Sequence, residues 1–186
     1  MTDMTIHSIA GYCTEKALWK LLVDVSSELM NADSKDFKVL MPEMVIVDGD
    51  TFRINNNPQN HTMEFCPPEG IENYGEKGLV WSLGAVVCYA SSGHYVFGGR
   101  GGAYQRDHPS VELPTLKKEH VALTALVKRC LCFAPSQRIS LDELHAIAKE
   151  GFKSNQLIKR VRRVKEMVEE NVSSTNMDDL WPEKME

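Results

Sequence analysis

The chain has 186 residues and a formal net charge of −5, so it is long enough for one domain with a sizeable core and is not a general binder of polyanions. Its five cysteines lack Cys-x-x-Cys spacing, which is typical of reduced thiols and excludes a disulfide scaffold. No signal-peptide pattern opens the sequence, and we therefore predict a cytoplasmic protein. The Cys130-x-Cys132 spacing is a poor zinc signature, and we expect neither a metal nor any other cofactor.

The first two predicted elements are an amphipathic helix and a β-hairpin. Apolar residues recur at three- and four-residue steps over residues 14–30, and Thr14 is suited to cap that helix. An Asp-Gly-Asp sequence at 48–50 lies between the β-rich runs 45–47 and 51–54. Because Asp-Gly tolerates the positive φ angle of a tight turn, these runs predict a two-stranded ribbon.

Residues 78–92 form the most apolar stretch of the chain and carry no charge. A helix that is apolar on every face must be buried, and this one is shorter than the roughly 20 residues that a bilayer requires. The stretch, which includes Trp81, Leu83 and Gly84, therefore predicts the central helix of a mainly α domain. We expect no membrane span.

The second half of the domain is predicted as a long connection followed by two helices. The glycine-rich run at 98–102 predicts a flexible surface loop. An apolar stripe over residues 115–133 predicts a core-facing helix. Ser140 and Glu143 have capping-box spacing, which predicts a further helix over residues 141–152 with Gly151 near its end.

The last predicted helix, roughly residues 155–171, combines an apolar stripe with a cluster of cations. Such a helix requires a surface to dock on, and its cations are a candidate partner surface: Lys159, Arg160, Arg162, Arg163 and Lys165. We accordingly divide the chain into a helical domain at 1–152, a basic amphipathic helix at 153–172 and an acidic flexible tail at 173–186. Trp181 is the only large anchor of that tail.

Four short motifs follow one another along the chain. Residues 42–47 read Pro-Glu-Met-Val-Ile-Val, 67–69 read Pro-Pro-Glu, 80–84 read Val-Trp-Ser-Leu-Gly, and 134–140 read Ala-Pro-Ser-Gln-Arg-Ile-Ser. In this order they resemble the C-terminal lobe of the eukaryotic-type protein kinase family, with its Pro-Glu-Asn, Ala-Pro-Glu, long buried helix and Asp-Pro-x-x-Arg-x-Ser/Thr motifs. The resemblance covers about residues 13–152 and implies a kinase C-lobe-like helical domain around a central buried helix.

This resemblance implies a retained ion pair and a lost catalytic centre. In the family, the Glu of Ala-Pro-Glu pairs with the Arg of the later motif, which implies a pair between Glu69 and Arg138. The positions that the family uses for catalysis carry other residues here: Val39 for the catalytic Asp, Met44 for the magnesium-binding Asn, Asn56 for the Asp of Asp-Phe-Gly, and Leu79 for the acid of the central helix. Phosphoryl transfer requires a proton-accepting acid and metal ligands, which Val39 and Met44 cannot supply.

Three interpretations follow from these observations. The first is a non-catalytic, pseudokinase-like interaction or scaffold module that does not bind Mg-ATP, because the roughly twelve residues before the first helix cannot build a nucleotide-binding lobe. The second is half of a Ser/Thr protein kinase whose nucleotide lobe is supplied elsewhere. The third is binding of nucleic acid or another anionic partner through the basic helix. The sequence favours a protein partner over nucleic acid and does not identify it.

Overall fold

The structure is a computed structural model that describes residues 3–32, 39–55, 62–72 and 74–174, with side chains up to residue 167. The described residues are mainly helical, and their strands form a single antiparallel pair. The helices are α1 (Ile6–Ile9), α2 (Glu15–Asn31), α3 (Glu76–Ser92), α4 (Gly101–Asp107), α5 (Val121–Cys130) and α6 (Leu141–Ser174). The strands are β1 (Val45–Asp48) and β2 (Thr51–Ile54). The predicted mainly α fold with one small hairpin is confirmed.

The chain divides into two compact units, which adjoin in the sequence at Phe152 and Lys153. The first unit contains the hydrophobic core, and the second contains the later part of α6. None of the described helices is both long enough and apolar enough to cross a membrane.

Helix α2 and the hairpin form where the sequence predicts them, and they are joined by hydrogen bonds. The Thr14 side chain caps α2 by accepting from the amide of Ala17. Two carboxylates of α2 accept amides from β2: Asp24 from Phe52 at 3.0 Å and Glu28 from Ile54 at 2.7 Å. These bonds occupy donors on the outer edge of β2, so the hairpin is fixed to the helix.

Helix α3 is the central element of the first unit, as predicted. Residues 78–91 are all buried, and its end at Gly93 adopts the left-handed conformation that favours glycine. Gly84 allows α5 to approach closely, because a Cβ atom at this position would lie 2.7 Å from the Cβ atom of Cys130. A mainly α domain therefore forms around a helix whose residues 78–92 carry no charge.

The glycine-rich run at 98–102 is not the flexible loop that its composition predicts. It contains the end of a 3-10 helix and the start of α4, and Gly101 and Gly102 are buried. A Cβ atom on Gly102 would lie 2.2 Å from the backbone nitrogen of Pro68, and one on Gly101 would lie 2.4 Å from the carbonyl oxygen of Met63. These glycines are required for close packing of two backbone segments, so the prediction of a flexible loop is wrong.

Two predicted helix boundaries also differ from the structure. Helix α5 begins at Val121 rather than near 115, because residues 117–120 form a turn in which the His120 amide bonds the Lys117 carbonyl. Helix α6 continues through Gly151 instead of ending there. A Cβ atom on Gly151 would lie 2.4 Å from the Trp19 ring, so this glycine accommodates Trp19 and does not terminate the helix.

Candidate functional site

Two of the residues at the positions that the kinase resemblance assigns to catalysis, Val39 and Met44, lie in the hydrophobic core. Val39 is 0% exposed and Met44 is 8% exposed. Both belong to the same core cluster, so neither side chain faces a space that a nucleotide or a hydroxyl substrate could enter. A valine has no group that accepts a proton, and a thioether is a weak ligand for a hard cation. Asn56 lies outside the described residues.

A partly buried tyrosine holds the backbone next to Val39. The Tyr74 hydroxyl accepts the amide of Leu40 at 3.2 Å and donates to the Ser82 hydroxyl at 3.0 Å. Ser82 in turn donates to the Phe65 carbonyl at 2.7 Å. Burial raises the pKa of Tyr74, so its hydroxyl remains protonated and can donate over the physiological pH range. The chain of bonds connects three segments through neutral groups.

The role of Tyr74 is not predicted by the sequence. Leu79, for which the kinase resemblance implies an acid, is buried, and its hydrocarbon side chain cannot accept a backbone amide. The amide of Leu40 is instead accepted by the tyrosine. Gly78 makes room for it, because a Cβ atom there would lie 2.6 Å from the Tyr74 ring. No periodicity or motif in the sequence signals this arrangement.

Glu69 and Arg138 form a bidentate ion pair. Arg138 Nη1 lies 2.7 Å from Glu69 Oε1, and Arg138 Nη2 lies 3.0 Å from Oε2. The Arg138 side chain is 0% exposed and that of Glu69 is 13% exposed. A pair this buried has little competition from water, and its parallel geometry is the strong form of the arginine–carboxylate interaction. The structure thus brings together the two residues that the kinase resemblance pairs.

Arg138 is also bonded to three backbone carbonyls. Its remaining N–H groups donate to Cys132 at 2.9 Å, Lys77 at 2.6 Å and Phe133 at 3.1 Å. The Lys77 ammonium returns a bond to the Arg138 carbonyl at 2.6 Å. The guanidinium therefore links the start of α3, the segment after α5 and the Glu69 turn. Its role in this geometry is structural.

The three residues singled out on the central helix are all buried. Trp81 donates its indole N–H to Gln105 at 2.9 Å, and the Gln105 amide donates to the Leu131 carbonyl at 2.8 Å. Leu83 is part of the core cluster, and Gly84 faces Cys130. These residues connect α3 to α4 and to the end of α5, and they have no exposed reactive group.

A cleft of about 390 Å³ lies beside the ion pair and offers no activated nucleophile. Its lining includes Met63, Cys66, Ile71, Ala103 and Arg106. Burial raises the pKa of the Cys66 thiol, and the nearby Glu64 raises it further. The thiol is therefore mostly protonated at neutral pH and a poor nucleophile. Across the part of the chain that the structure describes, no group of three or more His, Cys, Asp or Glu side chains is placed to hold a metal ion.

The second unit presents its cations to solvent. All five basic residues predicted as a partner surface are exposed: Lys159, Arg160, Arg162, Arg163 and Lys165. The apolar side chains on the same stretch are exposed as well, with Leu157 at 59%, Val161 at 67% and Val164 at 60%. An apolar stripe that remains this exposed is available to another molecule. Val168 and Val172, which continue the predicted stripe, have side chains outside the described part of α6.

Compared with models of protein families and with curated proteins, the sequence matches none.

Proposed function

We propose that this protein is a non-catalytic, pseudokinase-like interaction module that does not bind Mg-ATP and that offers its basic helix to a protein partner. The burial of Val39 carries the proposal. At the position where a kinase needs an exposed carboxylate, this chain has a hydrocarbon side chain with no contact with solvent. A catalytic residue must reach the reacting hydroxyl, and this side chain does not.

The structural contacts of the first unit support the same proposal. The Glu69–Arg138 pair and the Trp81–Gln105 bond stabilise the first unit. The backbone at Leu40 is fixed by a neutral tyrosine hydroxyl rather than by a carboxylate. A domain that keeps its packing and ion pair while burying valine at the catalytic position is suited to binding a protein rather than to turnover.

Titration of the purified full-length chain with Mg-ATP, followed by thermal unfolding, tests the proposal. A ligand at about 100 times its Kd stabilises the folded state by about 2.7 kcal/mol, which raises the Tm of a chain this size by several degrees. We expect no saturable shift up to millimolar Mg-ATP. Mg-AMP and magnesium alone serve as controls for ionic effects. A saturable rise in Tm that is specific for Mg-ATP contradicts the proposal.

A phosphoryl-transfer assay tests whether the chain alone has kinase activity. The chain is incubated with γ-labelled ATP, magnesium and a mixture of Ser- and Thr-containing peptides. We expect no label in peptide or protein above the level of a heat-denatured sample. Transfer above that level that also requires magnesium contradicts the proposal, because a module that does not bind Mg-ATP cannot transfer its phosphate.

A further inference from the structure

The basic helix carries an apolar seam with cations along both edges. At about 100° per residue, Leu157, Val161 and Val164 fall within an arc of about 60° on α6. Arg160 projects about 40° beyond one side of this arc, and Lys165 projects about 40° beyond the other. All five side chains are exposed. These residues are called the basic-edged seam below.

From this geometry, and resting on the proposed function, we propose that the basic-edged seam docks an amphipathic helix of another protein whose apolar stripe has Asp or Glu on both sides. Apolar side chains at four- and three-residue steps match the stripe of a second helix lying alongside. The cations on both edges then face carboxylates on both edges of the partner. Such complementarity selects the partner and speeds its association.

Charge excludes a second copy of this chain as the occupant. Both edges of the seam are basic, so two copies facing each other place cations against cations, whether the helices run parallel or antiparallel. Like charges at these flanking positions destabilise a helix pair. Residues 157–167 carry five cations and one carboxylate, Glu166. The net positive charge of this stretch therefore repels the same stretch of a second copy.

The composition of the seam favours a protein helix over a lipid surface. Helices that lie in a membrane interface typically carry Trp, Phe or Leu on their apolar face. Residues 157–167 contain no aromatic side chain, and two of the three seam residues are valines, which are short and stiff. Short β-branched side chains are suited to interdigitating with the ridges of another helix.

The probe is a fluorescein-labelled helical peptide of four heptads with Ile and Leu on its apolar stripe and Glu on both flanks. A second peptide has the same stripe with Lys on both flanks. We expect the full-length chain to bind the Glu-flanked peptide saturably at one to one by fluorescence anisotropy. Binding weakens at least about tenfold between about 50 and 300 mM NaCl, because salt screens the flanking charges. The Lys-flanked peptide does not bind.

Variants test which residues are responsible. Val161→Asp introduces a charge into the seam and abolishes binding. Arg160→Glu combined with Lys165→Glu reverses both edges, and we expect the double variant to bind the Lys-flanked peptide and reject the Glu-flanked one. Lys117→Glu combined with Lys118→Glu is a charge-matched control at exposed positions outside the seam, and it leaves the preference unchanged. Circular dichroism checks that each variant keeps its helix content.

Several results overturn the proposal. One is failure of the Glu-flanked peptide to bind, and another is binding that Arg160→Glu with Lys165→Glu leaves unchanged. Binding to vesicles of phosphatidylserine and phosphatidylcholine that the peptide cannot compete assigns the seam to lipid, and a dimer that Val161→Asp converts to monomer assigns it to a second copy. The Mg-ATP titration is independent of the seam. If the peptide fails to bind and Mg-ATP also gives no stabilisation, the proposed acidic partner helix is wrong and the proposal of a module that does not bind Mg-ATP stands.

Discussion

The Glu69 carboxylate accepts two hydrogen bonds from Arg138, and the other three N–H groups of Arg138 donate to backbone carbonyls. The two members of the pair therefore contribute unequally. Glu69 accepts hydrogen bonds from two of the guanidinium N–H groups, whereas Arg138 donates hydrogen bonds to one carboxylate and three backbone carbonyls. The arginine organises the turn between α5 and α6 as well as neutralising Glu69.

We predict that Arg138→Met lowers the free energy of unfolding more than Glu69→Gln does. Breaking a buried pair from one side costs about 3–5 kcal/mol, and the arginine variant additionally leaves three carbonyls without their donor. The double variant is expected to cost less than Arg138→Met alone, since no charge is stranded and only the three carbonyls remain without their donor. Urea unfolding monitored by circular dichroism measures all three.

The exposed pair between Arg129 and Glu143 provides the matched control. Its members are 47% and 51% exposed, and pairs of this kind contribute about 0–1 kcal/mol. Arg129→Met should therefore be nearly neutral. Equal losses for Arg129→Met and Arg138→Met would show that burial does not set the strength of the Glu69–Arg138 interaction.

Sequence predicted the elements whose signals are local. The periodicity of α2, the Asp-Gly turn of the hairpin and the uncharged run of α3 each depend on neighbours within one element, and the structure contains all three. The Glu69–Arg138 pair came from the order of the motifs in the family resemblance rather than from spacing. No spacing rule joins residues that are 69 positions apart.

The predictions from sequence are wrong where a glycine packs against residues that are distant in the sequence. Gly151 and the 98–102 run are typical of a helix end and a loop, because glycine is flexible in the unfolded chain. In the structure these glycines adjoin Trp19 and the 63–68 backbone, which lie elsewhere in the sequence. Tyr74 was missed for a related reason, since its partners Leu40 and Ser82 belong to separate segments.

We predict that Gly151→Ala and Gly102→Ala both destabilise the protein. Alanine in the middle of an exposed helix normally stabilises by about 0.5–1 kcal/mol relative to glycine. Here the added methyl groups collide with the Trp19 ring and the Pro68 backbone, and overpacking costs about 1–3 kcal/mol. Gly102→Ala should cost more, because a backbone cannot move aside as a side chain can. Thermal unfolding measures both changes.

Gly75→Ser is the control for these substitutions, because a Cβ atom at Gly75 has no neighbour within 4 Å and serine is a favourable residue at a helix N-cap. It should leave the Tm unchanged or raise it. A rise in Tm for Gly151→Ala would instead show that helix propensity outweighs the contact with Trp19.

We predict that Tyr74→Phe exposes the Leu40 amide to exchange and costs about 1–3 kcal/mol, the penalty for leaving a buried donor without its acceptor. The ring remains, so the packing against Gly78 is kept and only the hydroxyl is lost. Native-state hydrogen exchange should show reduced protection at Leu40. Tyr12→Phe is the control, since Tyr12 is 88% exposed. Unchanged exchange at Leu40 would mean that the Tyr74 hydroxyl does not hold this segment.

We predict that the protein loses stability as the pH rises above about 9, through the buried thiols of α3 and α5. Burial raises the pKa of both Cys88 and Cys130 from an ordinary value near 9 to about 12. Between these values the unfolded chain loses protons that the folded protein keeps, so the free energy of unfolding falls with pH. Below about pH 9 both states hold the protons and the effect is absent. Each thiol contributes a slope of about 1.4 kcal/mol per pH unit.

Urea unfolding at pH 7, 9, 10 and 11 measures this slope. Cys88→Ala with Cys130→Ala keeps each Cβ atom and removes both thiols, so the double variant should be less stable at pH 7 but lose less stability per pH unit above 9. Tyr74 contributes in the same direction above about pH 10, because burial raises its pKa as well. Tyr74→Phe should therefore leave the slope between pH 9 and 10 unchanged and reduce it only above that range. Burial also raises the pKa of Cys13 and Cys66, so the double variant should keep a smaller slope. A slope between pH 9 and 10 that the double variant does not reduce would assign the alkaline transition to other groups.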